Sequence, residues 1–317
     1  FFVVLQLEFS FALDQSFVPN IIILMLLKCI VNTRFCQPRR FLSYDRVNQS
    51  ELNKFSVIGN DWWDPSSKAG TGPLHDLNPV RVGYVRSGVA EALKRQNVFA
   101  TQQLKGLKIL DVGCGGGLLS ESLARLGAHM TSIDPSPENI QVASTHSKLD
   151  PITANIDYRQ STIEEVLASG EKFDVVCALE VIEHVDDPKG FIQACAQCVG
   201  GTEEGPGSLF VSTMNRTKKA HLMAILGAEY VLGMIPPGTH EWEKFITPEE
   251  LCGMVESTPL DSGGNMKMIN QNGIVLKPRN PFKNKMNLNC SPIEWGLSPT
   301  DIDVNYIAHF VKMKPSL

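Results

Sequence analysis

The chain has 317 residues, 29 Lys and Arg against 34 Asp and Glu, and 43% hydrophobic residues, an ordinary globular balance. A net charge of −5 provides no basic face for gripping nucleic acid phosphates, and a 20% charged fraction argues against both disorder and a multi-span membrane protein. The length exceeds one typical domain of roughly 100 to 200 residues without filling two, so part of the chain is expected to lie outside a single core.

Residues 1–46 differ from the rest. An apolar run over 21–31, broken only by Lys28, is followed by Arg34, Arg39, Arg40 and Arg46. At about 1.5 Å per residue that run covers about half of a ~30 Å hydrocarbon core. The segment reads as a leader, either a mitochondrial presequence whose tail is 34–42 or a misassigned start.

From residue 107 the pattern alternates strands and helices. Strands are predicted at 107–112, 130–133, 156–159, 173–179 and 208–213, and helices at 118–126, 137–148 and 188–198. Such alternation implies an α/β, Rossmann-like, seven-stranded and mostly parallel sheet with helices on both faces. Two last strands, 266–275 and 304–311, are expected to close it as an antiparallel hairpin across a polar loop. The eight cysteines are scattered, which fits packed thiols and not a disulfide framework. Cys195 and Cys198 form one C-x-x-C, but no second pair completes a metal site.

The run Asp111-Val112-Gly113-Cys114-Gly115-Gly116-Gly117 comes off a predicted strand and opens a helix. Its glycines let the backbone turn tightly and approach a ligand. Leu118 spoils the dinucleotide fingerprint, and no Gly-Lys-Ser/Thr follows for a P-loop. Asp134 closes the next strand about 20 residues on, where a carboxylate accepts ribose hydroxyls; the bland alternative is a helix cap, a job Ser136 before Pro137 does alone. The loop resembles the first motif of the class I S-adenosylmethionine-dependent methyltransferases, which implies that it approaches the methionine and ribose parts of that cofactor. Asp111 would then face the methionine ammonium.

Three segments narrow the resemblance. They are Trp62-Trp63-Asp64, then Pro73-Leu74-His75-Asp76-Leu77-Asn78-Pro79-Val80-Arg81, then Gly238-Thr239-His240-Glu241-Trp242 with Glu243-Lys244-Phe245-Ile246-Thr247-Pro248. Together they resemble the ubiquinone-biosynthesis O-methyltransferases, which methylate polyprenyl-dihydroxybenzoate and demethylubiquinol. The resemblance implies one methyltransferase domain over 47–317, with an N-terminal helical cap over 47–106. It implies cofactor contacts by Arg81, Asp111, Gly113, Gly115, Asp134 and Leu179. A guanidinium at 81 suits bidentate pairing with the methionine carboxylate.

Glu180-Val181-Ile182-Glu183-His184 follows, at the carboxyl end of the fourth predicted strand. If the chain turns helical there, Glu180, Glu183 and His184 share a face, and two carboxylates with an imidazole suit Mg2+. The resemblance makes these three the metal ligands, with Glu183 and His184 catalytic. Two alternatives stay open: His184 as sole general base oriented by the glutamates, or a packing cluster.

Residues 216–240 form an insertion with a basic entry (Arg216, Lys218, Lys219) and a long apolar body, as in segments lying in a lipid interface. A lid helix packed on the protein's own pocket is the alternative. The resemblance further implies a polyprenylated catechol substrate, peripheral membrane association at the matrix side of the mitochondrial inner membrane, and a multi-subunit biosynthetic complex. The rivals are an O-methyltransferase for another phenol and a non-catalytic methyltransferase-like subunit. A metal-using nucleic acid methyltransferase wants basic surface and a further His where this chain has Asp187.

Overall fold

The computed structural model describes residues 48–56, 58–66, 71–95, 101–223, 242–261, 263–278 and 293–313; the leader and most of the insertion lie outside them. The described chain enters through α1 (Gln49–Ser56), a 3-10 turn (Gly59–Trp63) and α2 (Gly72–Ala92). Strands β1 (Lys108–Val112), β2 (His129–Asp134), β3 (Asp157–Gln160), β4 (Val175–Leu179) and β5 (Ser208–Met214) follow. Between them come α3 (Leu118–Ala124), α4 (Pro137–Ser147), α5 (Ile163–Ser169) and α6 (Pro188–Cys198). The short α7 (Lys218–Ala220), α8 (Pro248–Glu256), β6 (Met266–Pro278), β7 (Ile293–Ser298) and β8 (Asn305–Lys312) complete it.

The strands form one sheet in the order β3-β2-β1-β4-β5-β8-β6-β7. The first five pair in parallel, because a helix crosses over between successive strands. β8 inserts antiparallel between β5 and β6. The expected seven strands are therefore eight. The extra one, β7, comes from the stretch read as loop, where Ile293, Trp295 and Leu297 alternate with Glu294, Gly296 and Ser298 along β6, a period-2 pattern.

Local signals account for the helix starts. Ser136 Oγ accepts the Asn139 N–H at 3.1 Å, with Pro137 opening α4. Thr247 and Glu250 form the capping box read for α8. Helix α5 has the same signature in Thr162 and Glu165, a start that went unread in the sequence because its apolar run is short.

Both sheet faces are covered, which is why β4 and β5 are buried at every residue. Val85 and Val89 of α2 pack with Ile109 and Phe210 on one face. On the other, Ile192, Cys195 and Cys198 of α6 and Val255 of α8 pack with Phe310. Cys195 and Cys198 are free, buried thiols, so they serve as small apolar side chains. Helices leave for opposite faces after β1 and β4, the pair at which strand order reverses and where sheets of this kind form a ligand crevice beyond the carboxyl ends of the strands.

Candidate active site

The glycine loop follows β1 at that crevice. The N–H groups of Gly113 and Cys114 both donate to the Ile133 carbonyl, at 2.8 and 3.0 Å, which folds the loop against β2. Gly115 has φ +51°, and an added Cβ there would strike the Trp62 ring. Gly113 has φ +71°, and its Cβ would meet Val181 at 2.7 Å. Backbone conformation and space thus both demand glycine.

The loop has a roof. Trp62 is buried and donates its indole N–H to Asn139 Oδ1 at 3.0 Å. Trp63 donates to the Gly116 carbonyl at 2.9 Å and stacks on His146 with ring centroids 3.4 Å apart. Both tryptophans were visible as a motif, but their place on the loop was not. Asn139 likewise carried no signal beyond its position in the first turn of α4.

Asp134 closes β2 as expected, and its carboxylate is turned toward the protein. It accepts from the Gly115 N–H at 3.0 Å, the Ser136 N–H at 2.9 Å and the Asn139 amide at 3.1 Å. A carboxylate has about four acceptor positions, so roughly one remains for a ligand hydroxyl. Burial raises the Asp134 pKa against the lowering effect of these donors. Asp111 is buried beside it and accepts from Ser120 Oγ at 2.5 Å. Burial pushes its carboxyl up to about 6, although Ser120 and Arg81 pull it down.

Arg81 of α2 is buried. Its Nη2 donates to Asn78 Oδ1 at 3.3 Å, and its Nε has no hydrogen-bond partner among the described residues. Asp111 and Glu180 supply the charges that oppose desolvation of the guanidinium. A buried donor left unmatched beside a crevice is costly, and an anionic ligand group would satisfy it. Leu179 ends β4 beneath the same crevice. The structure therefore gathers Arg81, Asp111, Gly113, Gly115, Asp134 and Leu179 at one edge, and their chemistry fits a zwitterionic nucleoside-like ligand.

The acceptor side departs from expectation. Residues 180–184 do not form a helical face: Glu180 takes a left-handed φ of +61°, and only Ile182–His184 make a 3-10 turn. A non-glycine residue held there is strained; Ser212 and Asn305 hold it. Glu180 accepts from Ser212 Oγ at 2.6 Å and from the Asn305 amide at 3.1 Å. Glu183, buried, accepts from Thr213 Oγ1 at 2.8 Å, and burial raises its carboxyl despite the nearby His184. Nδ1 of His184 lies 3.0 Å from Glu51 Oε2. Each expected metal ligand thus faces a different partner. No three His, Cys, Asp or Glu side chains among the described residues are placed to hold an ion, and this arrangement does not fit the Mg2+ site expected at Glu180, Glu183 and His184.

The imidazole is instead paired with a carboxylate. Burial works against the charged ring, but the Glu51 hydrogen bond and the Glu183 and Glu180 charges outweigh it and hold His184 above its ordinary pKa. Lys244 Nζ stands 4.0 Å from Glu51 Oε1. Beyond Lys244 a cavity of about 560 Å³ is lined by Val185, Arg216, Phe245 and Met254 among others.

A methyltransferase-domain family matches residues 83–260. The chain is 43% identical over 270 residues to the ubiquinone biosynthesis O-methyltransferase of Azorhizobium caulinodans, a match covering 85% of this chain and 94% of that protein. It is 39% identical over 267 residues to the protein of the same name from Cereibacter sphaeroides, covering 84% and 97%. Among solved structures, the N-methyltransferase NodS from Bradyrhizobium japonicum WM9 aligns with a TM-score of 0.47 at 14% identity, over 84% of this chain and 98% of that one. That likeness is too distant to bear on chemistry.

Proposed function

Since the chain belongs to the ubiquinone biosynthesis O-methyltransferases, we propose that it methylates a catechol hydroxyl of 3,4-dihydroxy-5-polyprenylbenzoate and of demethylubiquinol, with S-adenosylmethionine as donor. Identity of 39 to 43% across more than four-fifths of the chain carries this reading.

S-adenosylmethionine supplies an electrophilic methyl group on a sulfonium. Arg81 would hold its carboxylate through the guanidinium whose Nε has no hydrogen-bond partner among the described residues, and Asp111 would supply the counter-charge to its ammonium. The glycine loop and Asp134 would hold the ribose side, and Leu179 would give apolar contact. What remains for the chain is to place an acceptor oxygen in line and take its proton. His184 is the base: Nε2 takes the hydroxyl proton as the oxygen–methyl bond forms and the methyl–sulfur bond breaks. Glu183 bounds the same site.

No step is assigned to a divalent cation, since no three His, Cys, Asp or Glu side chains among the described residues are placed to hold one. Transfer of labelled methyl to dihydroxybenzoates with and without a prenyl tail tests the substrate. Faster transfer to an unrelated phenol would overturn it. Full activity in excess chelator supports the metal-free base, whereas loss restored by Mg2+ would reinstate the metal.

The insertion is proposed to rest on a lipid surface. Leu222 and Met223 are 60% and 49% exposed, one turn after Lys218 and after Lys219, which is ion-paired with Asp301 and Asp303, and no described helix is long and apolar enough to cross a membrane. Basic residues flanking exposed apolar ones suit an anionic interface. Deleting residues 217–235 should abolish flotation with anionic liposomes; identical flotation disposes of the idea. Residence on the matrix side of the mitochondrial inner membrane, within a multi-subunit complex, belongs to the same proposal. It rests on Arg34 to Leu42, outside the described residues, and import of a reporter fused to residues 1–46 tests it.

A further inference from the structure

We propose that Trp63 is a positioning residue for the cofactor, clamping the glycine loop 113–117 in the form that receives S-adenosylmethionine. The inference rests on the reading of that loop as the donor site and names what holds it in shape. Gly113, Gly115 and Gly117 all take left-handed φ values, and a stretch so rich in glycine loses more chain entropy on ordering than other sequences do. One hold on it comes from β2, through the Ile133 carbonyl and the Asp134 carboxylate. The other comes from the cap: the Trp63 indole N–H donates to the Gly116 carbonyl at 2.9 Å.

Trp63 is itself fixed from two sides. Its ring lies flat on His146, with centroids 3.4 Å and planes 7° apart. Nδ1 of His146 is 2.7 Å from Oε1 of Glu121, a fully buried carboxylate whose other oxygen accepts from Arg125 at 3.0 Å. Glu121 stands on α3, the helix that the loop opens, and His146 on α4, the helix that follows Asp134. From the opposite side, Thr71 Oγ1 donates to the Asp61 carbonyl at 3.0 Å, and His75 Nε2 lies 2.8 Å from the Trp62 carbonyl. Thr71 caps α2 and His75 lies in its first turns, and the same helix carries Arg81. The turn 59–63 therefore ties the helix bearing the arginine to the loop and the acid that would hold the ribose, two parts of one site that come from distant stretches of chain. Clamping and binding are then linked in both directions: what the clamp adds to cofactor affinity, the cofactor adds to the clamp.

The test uses the full chain and S-adenosylhomocysteine, which binds without turnover. Trp63 is half-buried, so its ring can be trimmed with less damage to packing than that of the buried Trp62. Trp63→Ala should raise the calorimetric Kd about 10- to 100-fold, the combined loss of a hydrogen bond and a stacked ring pair. Trp63→Phe, which keeps a ring on His146 and loses the donor, should raise it about 3- to 10-fold. A tryptophan with a merely structural role would lower the urea midpoint of both variants and leave Kd unchanged. In wild type, exchange of the Trp63 indole N–H with water, followed by NMR and assigned by its loss in Trp63→Phe, should slow about tenfold or more on saturation with S-adenosylhomocysteine. A Kd within about twofold of wild type in both variants, or an indole exchange rate indifferent to the ligand, overturns the proposal. If Trp63→Ala fails to fold, Trp63→Phe decides by the same criterion. Failure of wild type to bind S-adenosylhomocysteine overturns the donor-site reading itself, a result distinct from the Trp63 arms.

Discussion

The two ends of the crevice are built differently. At the donor end, the loop after β1 and the acid closing β2 lie within 24 residues of each other, and their groups are satisfied locally: Gly115 and Ser136 donate to Asp134, Ser120 to Asp111. At the acceptor end, five consecutive residues contribute three titratable groups, and their side chains bond to groups from elsewhere: Ser212 and Thr213 on β5, Asn305 on β8, Glu51 on α1. The glycine loop and its acids come from consecutive elements, β1 through α4, and keep their local geometry wherever those form, while Arg81, Leu179 and the two tryptophans reach them from elsewhere. A site made from four elements acquires its chemistry only when all four are packed.

The largest expected effect tests the acceptor end. His184→Gln should lower methyl transfer by about 10²- to 10⁴-fold while cofactor affinity, measured by calorimetry, stays within about threefold. Equal losses in both would mean that the two ends are one unit and would break the comparison.

The next concerns the buried charge at the donor end. The Asp111 carboxyl moves from 3.8 to about 6 on folding. Between those values the folded state holds a proton that the unfolded chain has released, so this group makes stability fall as pH rises. Asp111→Asn removes that penalty. Relative to wild type, the cofactor-free variant should be unchanged near pH 3.5 and more stable by up to about 3 kcal/mol above pH 6, read from urea melts across that range. Its cofactor affinity should drop, because the ammonium loses its counter-charge.

Arg81→Met comes third. It should weaken cofactor binding by about 1.5 to 3 kcal/mol, the range for a hydrogen bond to a charged group, without changing the rate of bound complex more than about threefold in single-turnover assays. The smallest effect is expected at the tether. Asn48→Ala removes a neutral donor to Asp186 at the exposed edge of the cap, worth about 0.5 to 1.5 kcal/mol. A several-fold drop in kcat at unchanged cofactor Kd would show that the cap acts mainly on the acceptor end.

Legibility in the sequence followed the same division. The alternating strands and helices, the glycine loop, Asp134 and the capping residues Ser136 and Thr247 all stand where the pattern placed them, because each depends on neighbours within a few residues. Strand β7 was missed although its alternation is visible, because a six-residue stretch beside a long polar loop has no local partner to mark it. The helical reading of 180–184 failed for a comparable reason. Spacing at i, i+3 and i+4 describes a helix face only if the backbone is helical, and Glu180 is held left-handed by contacts from β5 and β8. The roles of Trp62 and Glu51 had no local signal at all.

The sequence by itself determined the parallel sheet, the glycine loop with the positions of Asp111 and Asp134, and the family, since periodicity, turn chemistry and motif spacing act over short stretches of chain. Tertiary structure decided which way the acids face, that Arg81 is buried with an unmatched Nε, that three expected ligands do not converge, and that a glutamate from α1 stands behind His184. Those outcomes depend on which distant elements share a buried volume, where an unpaired polar group is expensive and so takes whatever partner the packing brings within reach.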